Sequence, residues 1–146
     1  MTENTAAARP VTAISRTAAR LSFAGAATFV VLLATLHFIK PELDPSWHFI
    51  SEYAIGNHGW IMVLAFLSLA LSYVTLFLAI RSQIRTIVGR IGLALLLVSA
   101  LGLTIAAIFT TDPITASKDA VTTEGSLHNL GGTLGIAMPF AAALIG

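Results

Sequence analysis

The chain has 146 residues, of which 56% are hydrophobic and only 10% are charged. A soluble domain carries about 25% charged residues, so a water-soluble globular fold is excluded. The net charge of +1 provides no basic face for binding nucleic acid, and the lack of cysteine excludes disulfides and thiolate metal sites. The composition predicts an all-α, polytopic bundle of transmembrane helices in a lipid bilayer.

The first predicted span covers residues 21–38 and follows a tail, residues 1–20, that has no apolar periodicity strong enough to define a fold. Arg16 and Arg20 precede the span, as basic residues precede the apolar part of a signal peptide. No small-x-small cleavage site follows it, because the next residues are HFIKPELDPSW. We therefore interpret it as a retained helix that opens a transmembrane bundle at residues 21–146.

The second predicted span, residues 60–80, has a face that carries hydroxyl groups. Ser68, Ser72 and Thr75 are spaced so that they fall on one side of a helix. Such hydroxyls either line a polar crevice or, more commonly, bond to carbonyls of their own helix or of a neighbouring helix. A crevice would favour a subunit that transports a polar solute.

Basic residues are concentrated in two segments of the chain. They lie in the amino-terminal tail and in the link after the second span, at Arg9, Arg16, Arg20, Arg81, Arg85 and Arg90. The other two connecting segments hold six acids and two lysines. By the positive-inside rule, the amino terminus faces the cytoplasm and the loops at residues 39–59 and 110–129 face outward, in a multi-pass protein of the plasma membrane.

The third and fourth predicted spans, residues 91–109 and 130–146, carry small residues four positions apart. These pairs are Gly102 with Ala106 and Gly131 with Gly135, and they favour close packing of helix backbones. The same faces are candidates for contact between copies in a homo-oligomer. Pro139 predicts a kink in the fourth span. That span ends in AALIG without a polar anchor, which favours a chain truncated before further spans.

Polar side chains are predicted to gather at the outer face. Because successive helices alternate in direction, the start of the second span, the end of the third and the start of the fourth meet there. This brings together His48, Ser51, Glu52, His58, Asp112 and His128. Pro113 disfavours helix at Asp112 and fixes the carboxylate at a break. Ser126 is a candidate N-cap, which would place His128 in the first turn of the last helix, where the helix dipole disfavours an imidazolium.

Each of these residues also has a structural interpretation. Asp112 is suited to capping loop amides, and His128 to bonding a loop carbonyl. Glu52 is expected to be solvated, His58 to occupy a turn beside Gly59, and His37 to be an interfacial imidazole. In this interpretation the polar site is a structural lock, that is, a set of contacts that holds the helix ends together.

The same side chains also suit a metal. A carboxylate and neutral imidazoles, with water completing the shell, are ligands for zinc, and Asp112, His128 and His48 are the candidates. In that alternative the protein is a zinc-dependent membrane hydrolase of lipid-like amides or esters, where the metal activates a water and Ser51 orients the ligand. No H-E-x-x-H or other motif specifies a reaction, so whether the protein is an enzyme stays open.

The stretch HFISEYAIGNHGWIM, followed by FTTDP and then by EGSLHN, resembles the family called domain of unknown function 998. The pattern of that family is H-P-x-S, then Gly-Trp, then F-P-x-D and G-x-x-H. The matching positions are His48, Ser51, Gly59, Trp60, Phe109, Asp112, Gly125 and His128. Phe49 and Thr110 stand where the pattern has proline. The resemblance implies a small polytopic membrane protein of about six spans, and it implies no activity.

These observations predict an integral membrane protein with an outward polar site at His48, Ser51, Asp112 and His128. The site is expected to be a structural lock or a pocket for a small ligand or lipid. The zinc hydrolase and the transport subunit are the alternatives.

Overall fold

The computed structural model describes residues 12–146, and every regular element in that range is helical. The α-helices are α1 (Ala13–Ile39), α2 (Gly59–Ile80), α3 (Ile87–Ile108), α4 (Thr123–Gly135) and α5 (Ala137–Ile145), and short 3-10 helices occur at Ile50–Ala54 and Lys118–Ala120. The first three α-helices and the α4–α5 pair are each long and apolar enough to cross a membrane. The predicted all-α bundle with four spans is confirmed.

Three helices begin at least four residues earlier than predicted, and each of the three begins at a threonine cap. α1 starts at residue 13 instead of 21, α3 at 87 instead of 91, and α4 at 123 instead of 130. The side chains of Thr12, Thr86 and Thr122 accept hydrogen bonds from backbone N–H groups three residues further on, at 3.1, 3.0 and 2.9 Å. Such caps stabilise the first turn of a helix. These first turns contain polar residues, so they are not part of the apolar runs from which the spans were predicted. Residues 13–20 of the predicted tail therefore belong to α1, and residues 1–11 lie outside the described part.

The helices pack in an open order around α3. α1 packs against α2, α2 packs against α3, and α3 also contacts α4 and α5. As a result, α2 and the α4–α5 pair stand on either side of α3. A groove is left between them.

The fourth span is broken one turn before its proline. Pro139 is the third residue of α5, and it lacks the N–H that would bond to Gly135. The chain changes helix at Ile136, whose N–H bonds to the Gly132 carbonyl at 3.2 Å. The predicted kink is confirmed.

Small residues bring α3 and α4 into backbone contact. A Cβ at Gly131 would lie 2.7 Å from both the Ala106 nitrogen and the Gly102 oxygen, and one at Gly102 would lie 2.6 Å from the Gly135 nitrogen. The predicted contact faces therefore meet each other within the chain. Contact between copies through small-residue faces stays a prediction.

The hydroxyl face of α2 is closed by α1. Ser72 Oγ donates to the Ser22 carbonyl at 2.8 Å, and the two serine hydroxyls lie 3.2 Å apart. The Ser68 and Thr75 hydroxyls donate to carbonyls of their own helix. These hydroxyls therefore bond to carbonyls of their own helix or of the neighbouring helix, which is the more common of the two predicted arrangements. They do not line a crevice, which was the observation that favoured a transport subunit.

Candidate functional site

The carboxylate of Glu52 joins the segment between α1 and α2 to the segment between α3 and α4. It is only 2% exposed and lies in the 3-10 helix between α1 and α2. Its Oε1 accepts the Phe49 N–H at 3.0 Å, and its Oε2 accepts from His48 Nδ1 at 3.0 Å and from the Ile114 N–H at 3.3 Å. The expectation that Glu52 is solvated was wrong, because residue 114, 62 positions away in sequence, folds over it.

These hydrogen bonds decide the charge of Glu52. Burial opposes ionisation, but the hydrogen bonds from the His48 side chain and from the two backbone N–H groups outweigh it. Together they hold the pKa of the Glu52 carboxyl below its ordinary value. The group is therefore an anion at neutral pH and accepts hydrogen bonds with both oxygens.

A buried lysine ties the end of α1 to the same 3-10 helix. Lys40 is 5% exposed, and its Nζ donates to the carbonyls of Tyr53 at 3.2 Å and Ile55 at 2.6 Å. The Tyr53 hydroxyl donates to the Leu43 carbonyl at 3.2 Å, and the His37 ring lies 5.0 Å from the tyrosine ring. Sequence reasoning missed Lys40, because one lysine in an acid-rich loop looks like a surface charge.

Asp112 holds the start of α4. Its Oδ2 accepts the Thr122 N–H at 2.8 Å, and its Oδ1 accepts the Thr122 hydroxyl at 2.9 Å. Thr122 in turn caps the helix through the Gly125 N–H. A Cβ at residue 125 would overlap the carboxylate oxygen, so this acid requires glycine at that position. The paired F-x-x-D and G-x-x-H patterns thus describe one contact between acid and helix.

His128 is 4% exposed, and its two ring nitrogens differ. Nδ1 lies 2.8 Å from the Phe109 carbonyl, which accepts only, so Nδ1 carries a proton. In the neutral ring Nε2 is then an acceptor. Nε2 has no hydrogen-bond partner among residues 12–146. In that range, Ser99 Oγ is the one polar side-chain atom that is both fully buried and without a hydrogen bond. Nε2 is therefore accessible from the surface of the protein.

The expected N-cap of α4 was wrong. The cap is Thr122, and Ser126 lies inside the helix with its hydroxyl donating to the Thr122 carbonyl. His128 therefore stands in the second turn, where the effect of the helix dipole is weaker. The contact with the Phe109 carbonyl sets which ring nitrogen of His128 carries the proton.

An apolar groove of about 760 Å³ runs beside His128, between α2 and the α4–α5 pair. Its walls include Phe66 and Tyr73 of α2, Leu103 of α3, and Met138 and Pro139 of α5. A second cavity of about 310 Å³ shares Tyr73 and Met138 and continues to Ile80 and Ile145. The polar residues Ser51, His128, Asn129 and Thr133 line the larger cavity, which reaches the end of the bundle that holds the 3-10 helix at Ile50–Ala54 and the first half of α4.

The structure places the predicted site residues at one end of the bundle but in separate contacts. His48 bonds to Glu52, Asp112 bonds to Thr122, and Ser51 and His128 line the groove. Across residues 12–146, no three histidine or acidic side chains are arranged to hold a metal ion. The described residues therefore add no support for zinc binding, and the zinc site stays a prediction. His58 occupies a left-handed turn with φ of 63°, as expected.

Four spans whose connecting segments are hydrogen-bonded to one another at one end of the bundle define a small multi-pass membrane protein. The family described as protein of unknown function (DUF998) matches residues 23–146, so the chain belongs to that family. The resemblance seen in the sequence is confirmed. No curated protein and no solved structure matches the chain.

Proposed function

We propose that this protein binds an uncharged amphipathic lipid in the groove between α2 and the α4–α5 pair, with the head group at His128 and Ser51. The observation that carries the proposal is the orientation of His128. Its Nδ1 is held by the Phe109 carbonyl, so that the acceptor Nε2 has no partner among the described residues and lies at the polar end of an apolar groove.

The size and lining of the groove support a lipid ligand. Ligand cavities span roughly 300–1,000 Å³ and combine apolar walls with a few polar groups. The groove has about 760 Å³ and continues into a second apolar cavity. From Phe66 to Ile80, α2 rises by about 21 Å at 1.5 Å per residue, which accommodates an extended acyl chain.

The lining also indicates the head group. The residues around the two cavities include no aspartate, glutamate, lysine or arginine, and a charged head would be costly to bury without a partner. A free imidazole acceptor and the Ser51 hydroxyl suit a hydroxyl or an amide N–H. We therefore assign lipids such as diacylglycerols or N-acyl lipids with a neutral head.

The structural contacts of Asp112 and Glu52 and the proposed lipid pocket belong together. Asp112 fixes the start of α4, and Glu52 fixes the segment that carries Ser51. Both anchors restrict the position of the two groove residues that would bind the head. In the positive-inside orientation, this head-group end lies at the outer leaflet of the plasma membrane.

Gly132 provides the test. It lines the groove, and a Cβ added there meets nothing within 4 Å, so Gly132→Leu should narrow the groove without disturbing helix packing. Gly132→Ala is the matched control. We expect the leucine variant to lose most of the diacylglycerol that wild type and the alanine variant retain in native mass spectrometry. A folded leucine variant that retains as much diacylglycerol as wild type would overturn the proposal.

A further inference from the structure

We propose that the link between α2 and α3 binds the phosphate group of an anionic lipid at the end of the bundle opposite His128. A concave site of about 420 Å³ lies there, lined by Arg81, Ser82, Ile84, Arg85, Arg90 and Leu93. Three of the six lining residues are arginines. Their planar guanidinium groups match the oxygens of a phosphate in pairs of hydrogen bonds.

The charges of these arginines are not balanced within the described chain. The acids of residues 12–146 all lie at the opposite end, at Glu42, Asp44, Glu52, Asp112, Asp119 and Glu124. In the same range, the one pair of acidic and basic side chains in contact is His48 with Glu52. Arg81 lies 5.9 Å from the Phe77 ring centre, which does not neutralise it. A bound anion would supply the missing charge.

The start of α3 strengthens the case. Arg85 precedes the Thr86 cap, and Arg90 stands in the first turn of this 22-residue helix. A cation there is opposed by the positive end of the helix dipole. An anion in the concave site would offset both the dipole and the arginines, because backbone N–H groups at a helix start also favour negative charge.

The surroundings point to a lipid instead of a free phosphate ion. Ile87 is 78% exposed and Val88 is 53% exposed, directly after the arginine link. Such side chains are suited to the apolar part of a bilayer, so the arginines are held at head-group level. In the positive-inside orientation this is the inner leaflet, whose anionic lipids attract basic residues by about 1 kcal/mol each.

The experiment compares two double variants that remove equal charge. Arg85→Gln with Arg90→Gln alters the concave site, whereas Arg16→Gln with Arg20→Gln alters exposed positions of α1 at the same end of the bundle. Purified protein is incubated with phosphatidylglycerol or with phosphatidylcholine of the same acyl chains, and bound lipid is counted by native mass spectrometry. We expect roughly thirtyfold weaker phosphatidylglycerol binding in the first variant and binding near wild type in the second.

Equal losses in the two double variants would overturn the inference, because general attraction of charge would then explain the binding. Inorganic phosphate is titrated separately. If it binds alone as tightly as the lipid, the assignment to a lipid is wrong. If the glutamine double variant does not fold, the single variants Arg85→Gln and Arg90→Gln are tested, and each should still bind several-fold less phosphatidylglycerol than Arg16→Gln.

Discussion

At the scale of single residues, Glu52 connects the two loop segments at the His128 end of the bundle. Its two oxygens accept three hydrogen bonds from the loops on both sides. A glutamine there keeps one acceptor oxygen, but its amide NH2 group is a donor and would face other donors. Leaving buried N–H groups unbonded costs about 1–3 kcal/mol, so Glu52→Gln should lower the thermal unfolding midpoint in detergent. Glu42→Gln, at an exposed position, is the control and should leave the midpoint unchanged; equal midpoints for both variants would contradict the buried role.

The same carboxyl predicts a pH dependence. Its pKa is lower in the folded protein than its ordinary value, so its stabilising effect is present above the ordinary pKa. The effect is lost as the pH falls through the lower, folded pKa. The difference in unfolding midpoint between wild type and Glu52→Gln should therefore be large at neutral pH and shrink in strong acid. The two proteins are compared in one pH series, and a difference that grows in acid would show that the sign is wrong.

The sequence indicates a functional or structural role for some of these residues and not for others, and the difference depends on their neighbours in the chain. Asp112 stands out because Pro113 follows it, and His128 stands out because it opens a span. Lys40 and Glu52 do not stand out, since a charged residue in a polar loop looks the same whether it is solvated or covered. Their burial depends on contacts such as the one from Ile114, 62 positions from Glu52, and no local pattern encodes such a contact.

At the scale of elements, the start of α4 depends on one acid and one glycine. Asp112→Ala removes both hydrogen bonds to Thr122 and should destabilise the protein by about 1–3 kcal/mol. Gly125→Ala should also destabilise it, because the added Cβ overlaps the carboxylate. In the double variant the methyl group occupies the space that the carboxylate leaves, so the combined cost should be smaller than the sum.

Unfolding midpoints of the four proteins measure this coupling. Asp119→Ala is the control, since Asp119 is exposed in the same loop and should show no coupling with Gly125→Ala. Additive costs for Asp112 and Gly125 would contradict a direct contact between the two.

The helices themselves follow from simple rules, while their ends do not. Apolar runs located all four spans, and Pro139 located the break in the last one. The starts of α1, α3 and α4 were missed because threonine caps extend helices into polar sequence. A threonine is common in loops as well, and the α4 cap additionally depends on Asp112, which lies ten positions away. Caps supported by tertiary contacts are therefore visible only in the fold.

At the scale of the whole molecule, the two proposed lipid sites depend on one orientation in the membrane. The arginine link and the His128 end lie at opposite ends of the bundle, and the distribution of charge predicts that the link is cytoplasmic. The chain has no cysteine, so single cysteines can be labelled cleanly. Ser117→Cys should react with a membrane-impermeant maleimide in intact cells, whereas Ser82→Cys should react only after permeabilisation. If Ser82→Cys reacted in intact cells and Ser117→Cys only after permeabilisation, the two sites would lie in the opposite leaflets. If both variants reacted in intact cells, the antiparallel arrangement of the spans, on which both sites depend, would be wrong.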